Sequence, residues 1–275
     1  MSDFNPKNFT KKLEEILKEI PDGVYTGDAS IKKSGKEERR IISEAIEELT
    51  KLYQILDPIR QPEHVFDPSD PKKIGELIAK TLLIQPFHGF AGLEKFYGSG
   101  VYALYYNGDF EAYRPISGKR HPIYIGKADP AVHDAVTVEE QGVKLHGRLL
   151  DHRRTLEKAE NLSIEDFSVQ YLVVKSAWQK PAEDYLIDLF KPVWNKEMKV
   201  CFGFGKHGDS SSTRKNKRSP WDTIHPGRMW AATKETEPNE KSENRIIEEI
   251  AKHFATNPPI DPLNIVPGVM EDQHN

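Results

Sequence analysis

The sequence predicts an α+β fold: a small mixed β-sheet with flanking helices, preceded by a helical N-terminal extension. Three observations predict it. Apolar residues in the first third recur at helical spacing. Three short runs rich in aromatic and β-branched residues, at 100–106, 122–125 and 167–174, read as strands. Amphipathic segments at 145–156 and 181–190 follow the second and third runs, giving the order β-β-α-β-α.

The elements follow in order. Phe9, Leu13, Ile16, Leu17 and Ile20 form one stripe, a helix over 9–20. Residues 34–40 lead into a second helix over 41–56, where Ile42, Ala45, Ile46, Leu49 and Leu52 recur. Three prolines make 57–70 a loop. A third helix over 71–83 opens on Pro71, a favoured first position. Asn107-Gly108 is a turn signal after the first strand, and the loop that follows carries Arg114, Lys119, Arg120 and His121. Residues 201–230 are rich in glycine, serine and basic residues, with Trp221 and Trp230 as core anchors. Beyond 231 the chain turns acidic, with one helix over 243–254 before a proline-rich end. The expected organisation is a mostly helical region over 1–90, a domain over 91–231 and an acidic tail over 232–275.

Composition excludes several classes. The chain has 275 residues, 30% of them charged and 37% hydrophobic. No apolar run approaches the ~20 residues of a spanning helix, and the N-terminus has no apolar signal core. The single Cys201 excludes an intramolecular disulfide and a zinc cluster, and fits a reducing compartment. The expectation is a cytoplasmic protein without a membrane segment. Net charge is −4, but it is unevenly spread. Lys and Arg against Asp and Glu number 15 and 17 over 1–99, 20 and 17 over 100–230, and 4 and 9 thereafter. Positive charge thus collects mid-chain, although an excess of this size also fits ordinary surface scatter.

Two helices carry the chemistry. In 145–156, Leu145, Leu149 and Leu156 form a narrow stripe, with Arg148 and His152 one turn apart at its edge. Arg153 and Arg154 turn toward solvent. Taken singly, Arg148 reads as a salt-bridge partner and His152 as a core-edge histidine. In 181–190, Leu186, Ile187 and Phe190 lie three, four and seven residues after Glu183, which puts that carboxylate on the apolar face and Asp184 off it. Burial of a carboxylate calls for pairing, protonation or a metal. A place in the first helical turn, where the dipole favours acids by ~0.3–1 kcal/mol, explains an acid here but not its face. A Mg²⁺ ion explains both, because it takes one carboxylate together with phosphate oxygens and waters. Tyr102 and Tyr124, taken singly, are strand aromatics filling a core.

Together these residues fall into one ordered set: Gly100-Val101-Tyr102, Tyr124-Ile125-Gly126, Arg148, Glu183 and Asn195. The set resembles the GIY-YIG nuclease superfamily, with Val101 replacing the usual isoleucine of the first triplet. His152, four residues after the arginine, resembles the variant found in type II restriction endonucleases of that superfamily. The run GFGKHG…RSPWDTIHPGRMW resembles the tail of the subgroup that cuts CCGCGG. The resemblance covers about residues 90–231.

It implies a GIY-YIG nuclease fold and a Mg²⁺-dependent, site-specific endonuclease acting on double-stranded DNA. A palindromic target implies a homodimer or a higher assembly. Tyr102, Arg148, His152 and Glu183 would build the site, with Glu183 holding Mg²⁺ and Tyr102 passing a proton to His152. Tyr124 would orient water or phosphate. Asn195 would hold a phosphate or brace the glutamate's helix, or is simply a turn residue after Pro192. For DNA contact the candidates are Arg114, Lys119 and Arg120 in the inter-strand loop. The basic tail adds Lys206, His207, Arg214, Lys215, Lys217, Arg218 and Arg228. The alternatives are a repair or mobile-element nuclease, or a non-catalytic DNA-binding protein on the same fold.

Overall fold

The computed structural model describes residues 4–20, 35–56, 59, 65–205, 217–233 and 236–264. The chain divides into two units, Met1–Phe66 and Asp67–Asn275. In the first, helix α1 (Pro6–Leu17) is capped by Asn5, whose side chain accepts from the amides of Lys7 and Asn8. Helix α2 (Lys36–Leu56) carries Arg40 between Glu37 and Glu44 on an exposed face. Their apolar stripes line a shared groove with Phe9, Leu13, Ile46, Leu49 and Leu56. The stripe expected to reach Ile20 stays helical only to Leu17.

The second unit begins earlier than the expected boundary near residue 90. Helix α3 (Pro71–Leu83) belongs to it, capped by Asp70 and burying Ala79, Leu82 and Leu83. Its Gly75 lies so close to Pro181 that a Cβ would meet that carbonyl at 2.6 Å. Four strands follow: β1 (His88–Gly89), β2 (Gly100–Tyr106), β3 (Tyr124–Ala128) and β4 (Phe167–Val173). Their spatial order is β1-β4-β2-β3. The α+β class is the one expected. The sheet, however, is antiparallel in all three pairings rather than mixed. The two-residue β1 carries no alternation to read, and β3 starts two residues later than the run 122–125 implies.

Every residue of β2 is buried, so its alternation feeds two cores. Tyr102, Leu104 and Tyr106 face helix α5 (Lys144–Lys158) and the C-terminal part of the chain, including Trp194 and Trp221. Val101, Ala103 and Tyr105 face α3 and helix α6 (Gln179–Phe190). A short helix α4 (Val138–Gln141) precedes α5, opened by a Thr137–Glu140 capping box. Helices α7 (Pro220–Ile224) and α8 (Met229–Ala232) lead to helix α9 (Glu243–Thr256). The last helix is part of the core rather than of a separate tail, with Ile246 and Ile250 fully buried. Each such side chain contributes about 1.5–3 kcal/mol by burial. Trp221 is a core anchor as expected, whereas Trp230 is only half-buried. Among the described residues, no helix is long and apolar enough to cross a membrane.

Candidate active site

The outer edge of β3 is where the two layers meet. Tyr102 pairs with Gly126 and Leu104 with Tyr124, so both tyrosines stand on one sheet face. Helix α5 covers that face and brings Arg148 and His152, one turn apart, over the phenols. Helix α6 lies on the opposite face, and Glu183 reaches past the edge of β3 to a common cavity. This cavity, about 500 Å³, is lined by Tyr124, Lys127, Arg148, Lys180, Glu183 and Asn195, among others. Of the residues expected to build the site, Tyr124, Arg148, Glu183 and Asn195 line this cavity, and Tyr102 and His152 are buried next to Tyr124.

The Tyr102 hydroxyl lies 2.6 Å from Nε2 of His152. Donation in this direction requires the tautomer with its proton on Nδ1. Arg148 interacts with both tyrosine hydroxyls, and the two phenol rings are neighbours with centroids 6.2 Å apart. Tyr102 and His152 are almost completely buried. Tyr102 lies behind Tyr124, which is the hydroxyl on the cavity wall. Burial pushes Tyr102 well above the usual phenol value, Tyr124 adds to the rise, and Arg148 opposes it. Burial also raises Tyr124, again opposed by Arg148.

Glu183 is 16% exposed while Asp184 is 59% exposed, the difference in face that the apolar spacing implies. Helix α6 starts at Gln179, two residues before Pro181, so Glu183 lies beyond its first turn and the dipole does not account for it. Burial raises its carboxyl above the ordinary value, opposed by Lys180 and Lys127. The ion pair with Lys180 is long, at 3.4 Å. A hard, half-buried carboxylate of this kind fits Mg²⁺, which keeps most of its shell as water and phosphate. No group of three or more His, Cys, Asp or Glu side chains suited to a metal occurs among the described residues. A metal bound wholly by protein is thereby set aside among them, and a single-carboxylate site is not.

Asn195 lines the cavity and is bonded to strand β3. Its amide accepts from the Ile125 N–H at 2.9 Å and donates to the Ile125 carbonyl at 2.8 Å. It thus completes the open edge of β3 as another strand would, between Tyr124 and Gly126.

The expected DNA contacts are placed differently. Arg114 is exposed and paired with Glu111, Lys119 is exposed, and the half-buried Arg120 lies over the Phe87 ring at 5.1 Å. Lys206, His207, Arg214 and Lys215 lie outside the described residues. Lys217 pairs with Glu240, and Arg218 donates to the Ala231 carbonyl. Arg228 is corrected outright: its side chain is 4% exposed and ion-paired with Asp222, which removes it from any DNA-facing surface. Basic charge instead lines a groove of about 850 Å³ that shares Lys127 and Arg148 with the first cavity and adds Lys95, Lys144 and Arg154. Sequence reading named Arg148 but assigned no role to Lys95, Lys127, Lys144 or Lys180, although Lys127 directly follows Gly126 and Lys180 stands one turn before Glu183. It also missed Phe204, whose ring stacks on His152 with centroids 4.6 Å apart.

The family whose model matches the chain is described as the Eco29kI GIY-YIG domain, and the match spans residues 94–254, more than half of the chain. No curated protein matches.

Proposed function

Because the chain belongs to the Eco29kI GIY-YIG family of restriction endonucleases, we propose that it hydrolyses phosphodiester bonds in double-stranded DNA at a specific palindromic site, with Mg²⁺. The observation that carries this reading is the 2.6 Å bond from Tyr102 to His152, beneath Arg148 and beside Glu183. It pairs a proton path with a phosphate-binding cation and a metal-binding carboxylate. The tail resemblance points to CCGCGG as the target. Such a target requires two sites related by symmetry, hence a homodimer or higher assembly, acting in the cytoplasm.

Glu183 would hold Mg²⁺, which when bound supplies charge neutralisation at the scissile phosphate and its leaving 3′ oxygen. Arg148 has five N–H donors, enough to hold both hydroxyls and a phosphate oxygen together. Tyr124, on the cavity wall, orients the attacking water. The water's proton passes through Tyr124 to Tyr102, while Tyr102 gives its own proton to Nε2 of His152. Because burial holds Tyr102 well above the usual phenol value, a free phenolate is disfavoured, and concerted transfer is the better path. The groove carrying Lys95, Lys144 and Arg154 would follow the DNA backbone, as clustered cations do.

Digestion of a plasmid with mapped CCGCGG sites tests the reading. Discrete fragments ending at those sites, formed only with Mg²⁺, are expected. No cutting with Mg²⁺ would reject the activity, and a ladder unrelated to the sites would reject the specificity.

A further inference from the structure

We propose that Arg228 is a positioning residue for the active site, acting through the segment Phe202–Gly205, which it holds as a wall against His152, Tyr124 and Arg148. The inference rests on the endonuclease reading for its catalytic consequence, but not for its geometry.

The anchor is compact. Nε of Arg228 donates to Asp222 at 2.6 Å, Nη2 to the Gly203 carbonyl at 2.9 Å, and Nη1 to the Phe204 carbonyl at 3.2 Å. The guanidinium lies over the Trp221 and Trp230 rings, at 4.7 and 5.1 Å. Asp222 also accepts from Ser219, which caps the start of α7. Gly203 adopts φ of +116°, and a Cβ there would collide with Ser219 Oγ at 2.1 Å.

The wall is equally close on its other side. The Phe204 ring stacks on His152 with planes 14° apart and meets Tyr124 edge-on, centroids 5.2 Å apart. Gly205 comes so near that a Cβ would lie 3.0 Å from both Arg148 Nη2 and Tyr124 Oη. Thus Gly203 and Phe204 touch Arg228 through their carbonyls, while Phe204 and Gly205 meet the proton path. A buried ion pair is seldom retained for stability alone, since its desolvation offsets its attraction. Here its remaining donors fix two carbonyls next to the reacting groups. Catalytic geometry tolerates little displacement: a shift of ~1 Å can slow a reaction about 10²-fold.

The test compares the wild type with Arg228→Met/Asp222→Leu, which removes both buried charges together, and with Phe204→Leu and Phe204→Tyr. Two readouts are taken at a temperature where each protein is folded by circular dichroism. The first is the His152 ring-proton resonance, assigned by its loss in His152→Gln. Stacking under Phe204 predicts an upfield shift in the wild type and in Phe204→Tyr, lost in the other two. The second is the single-turnover cleavage rate with saturating DNA. A fall of ~10–100-fold is expected in the double variant and in Phe204→Leu, with rescue in Phe204→Tyr. Unchanged resonance and rate in the folded double variant would overturn the proposal. If the double variant does not fold, an unchanged resonance and rate in Phe204→Leu overturn it instead. A wild type that shows the shift but never cuts DNA would reject the endonuclease reading and leave the positioning contact standing.

Discussion

Gly126 lies directly beneath the phenol of Tyr102: a Cβ on Gly126 would sit 2.3 Å from Tyr102 Oη. The two residues face each other across the β2–β3 pairing. Any side chain at 126 therefore displaces the hydroxyl from His152. Gly126→Ala should lower stability by about 1–3 kcal/mol through overpacking, and cleavage by far more than DNA binding. Urea unfolding and single-turnover kinetics check the two parts. A stable variant that cuts at the wild-type rate would show that the phenol's position is not critical.

Tyr102→Phe keeps the ring and deletes the hydroxyl. It leaves Nε2 of His152 without its donor in the core, at a cost of about 1–3 kcal/mol. The single-turnover rate should fall by ~10² or more, the usual range for a lost proton-transfer group. DNA affinity measured without Mg²⁺ should stay within about 3-fold, as expected for a group acting in the transition state. An affinity loss equal to the rate loss would assign Tyr102 to binding.

Glu183→Gln should abolish cleavage and spare specific binding. It should also raise Tm at pH 7.5, since glutamine carries no charge to bury. The sign follows from the raised carboxyl. The folded state binds the proton more tightly than the unfolded chain, so stability falls as pH rises from the ordinary glutamate value through the folded one. Above that window the full penalty of a buried charge remains, and glutamine removes it. The gap in Tm should close as the pH is lowered below the ordinary value. A Tm below that of the wild type at pH 7.5 would mean that Lys180 and Lys127 outweigh the burial.

The basic groove can be read by salt. Lys95→Ala and Lys144→Ala should each reduce the slope of log Kd against log salt by about 0.9, the value for one lost phosphate contact on duplex DNA. Arg114→Ala, already paired with Glu111, should leave the slope nearly unchanged. If Arg114 and Lys119 carry the slope and the groove lysines do not, the DNA runs along the inter-strand loop instead.

These contrasts mark how far a sequence can be read. Strand β2 is legible because aromatic and β-branched residues cluster there, and its neighbours repeat at short range. Glu183 is legible because its apolar neighbours lie within seven residues on one helix. Arg228 is not: its charge suggests a surface, and its partners are the carbonyls of residues 203 and 204 and a carboxylate in another turn. Phe204 is missed for the same reason, since its stacking partner lies 52 positions earlier and nothing local marks it. The sense of sheet pairing depends on where the connections cross, which no short-range pattern records. Asn195 shows an intermediate case, because its place after Pro192 is visible and its union with Ile125 is not.

The wall at 203–205 bears on the order in which the site is completed as the chain emerges. Glu183 comes from one face of the sheet, Arg148 and His152 from the other, and the anchor of the wall comes only at residue 228. A nascent chain that has released its two tyrosine strands still lacks the segment that closes over them, and the clamp that holds this segment arrives later still. On the proposed reading, the ability to cut waits for residues well after both tyrosine strands, so products truncated before residue 228 would be poor nucleases even where their sheet has formed.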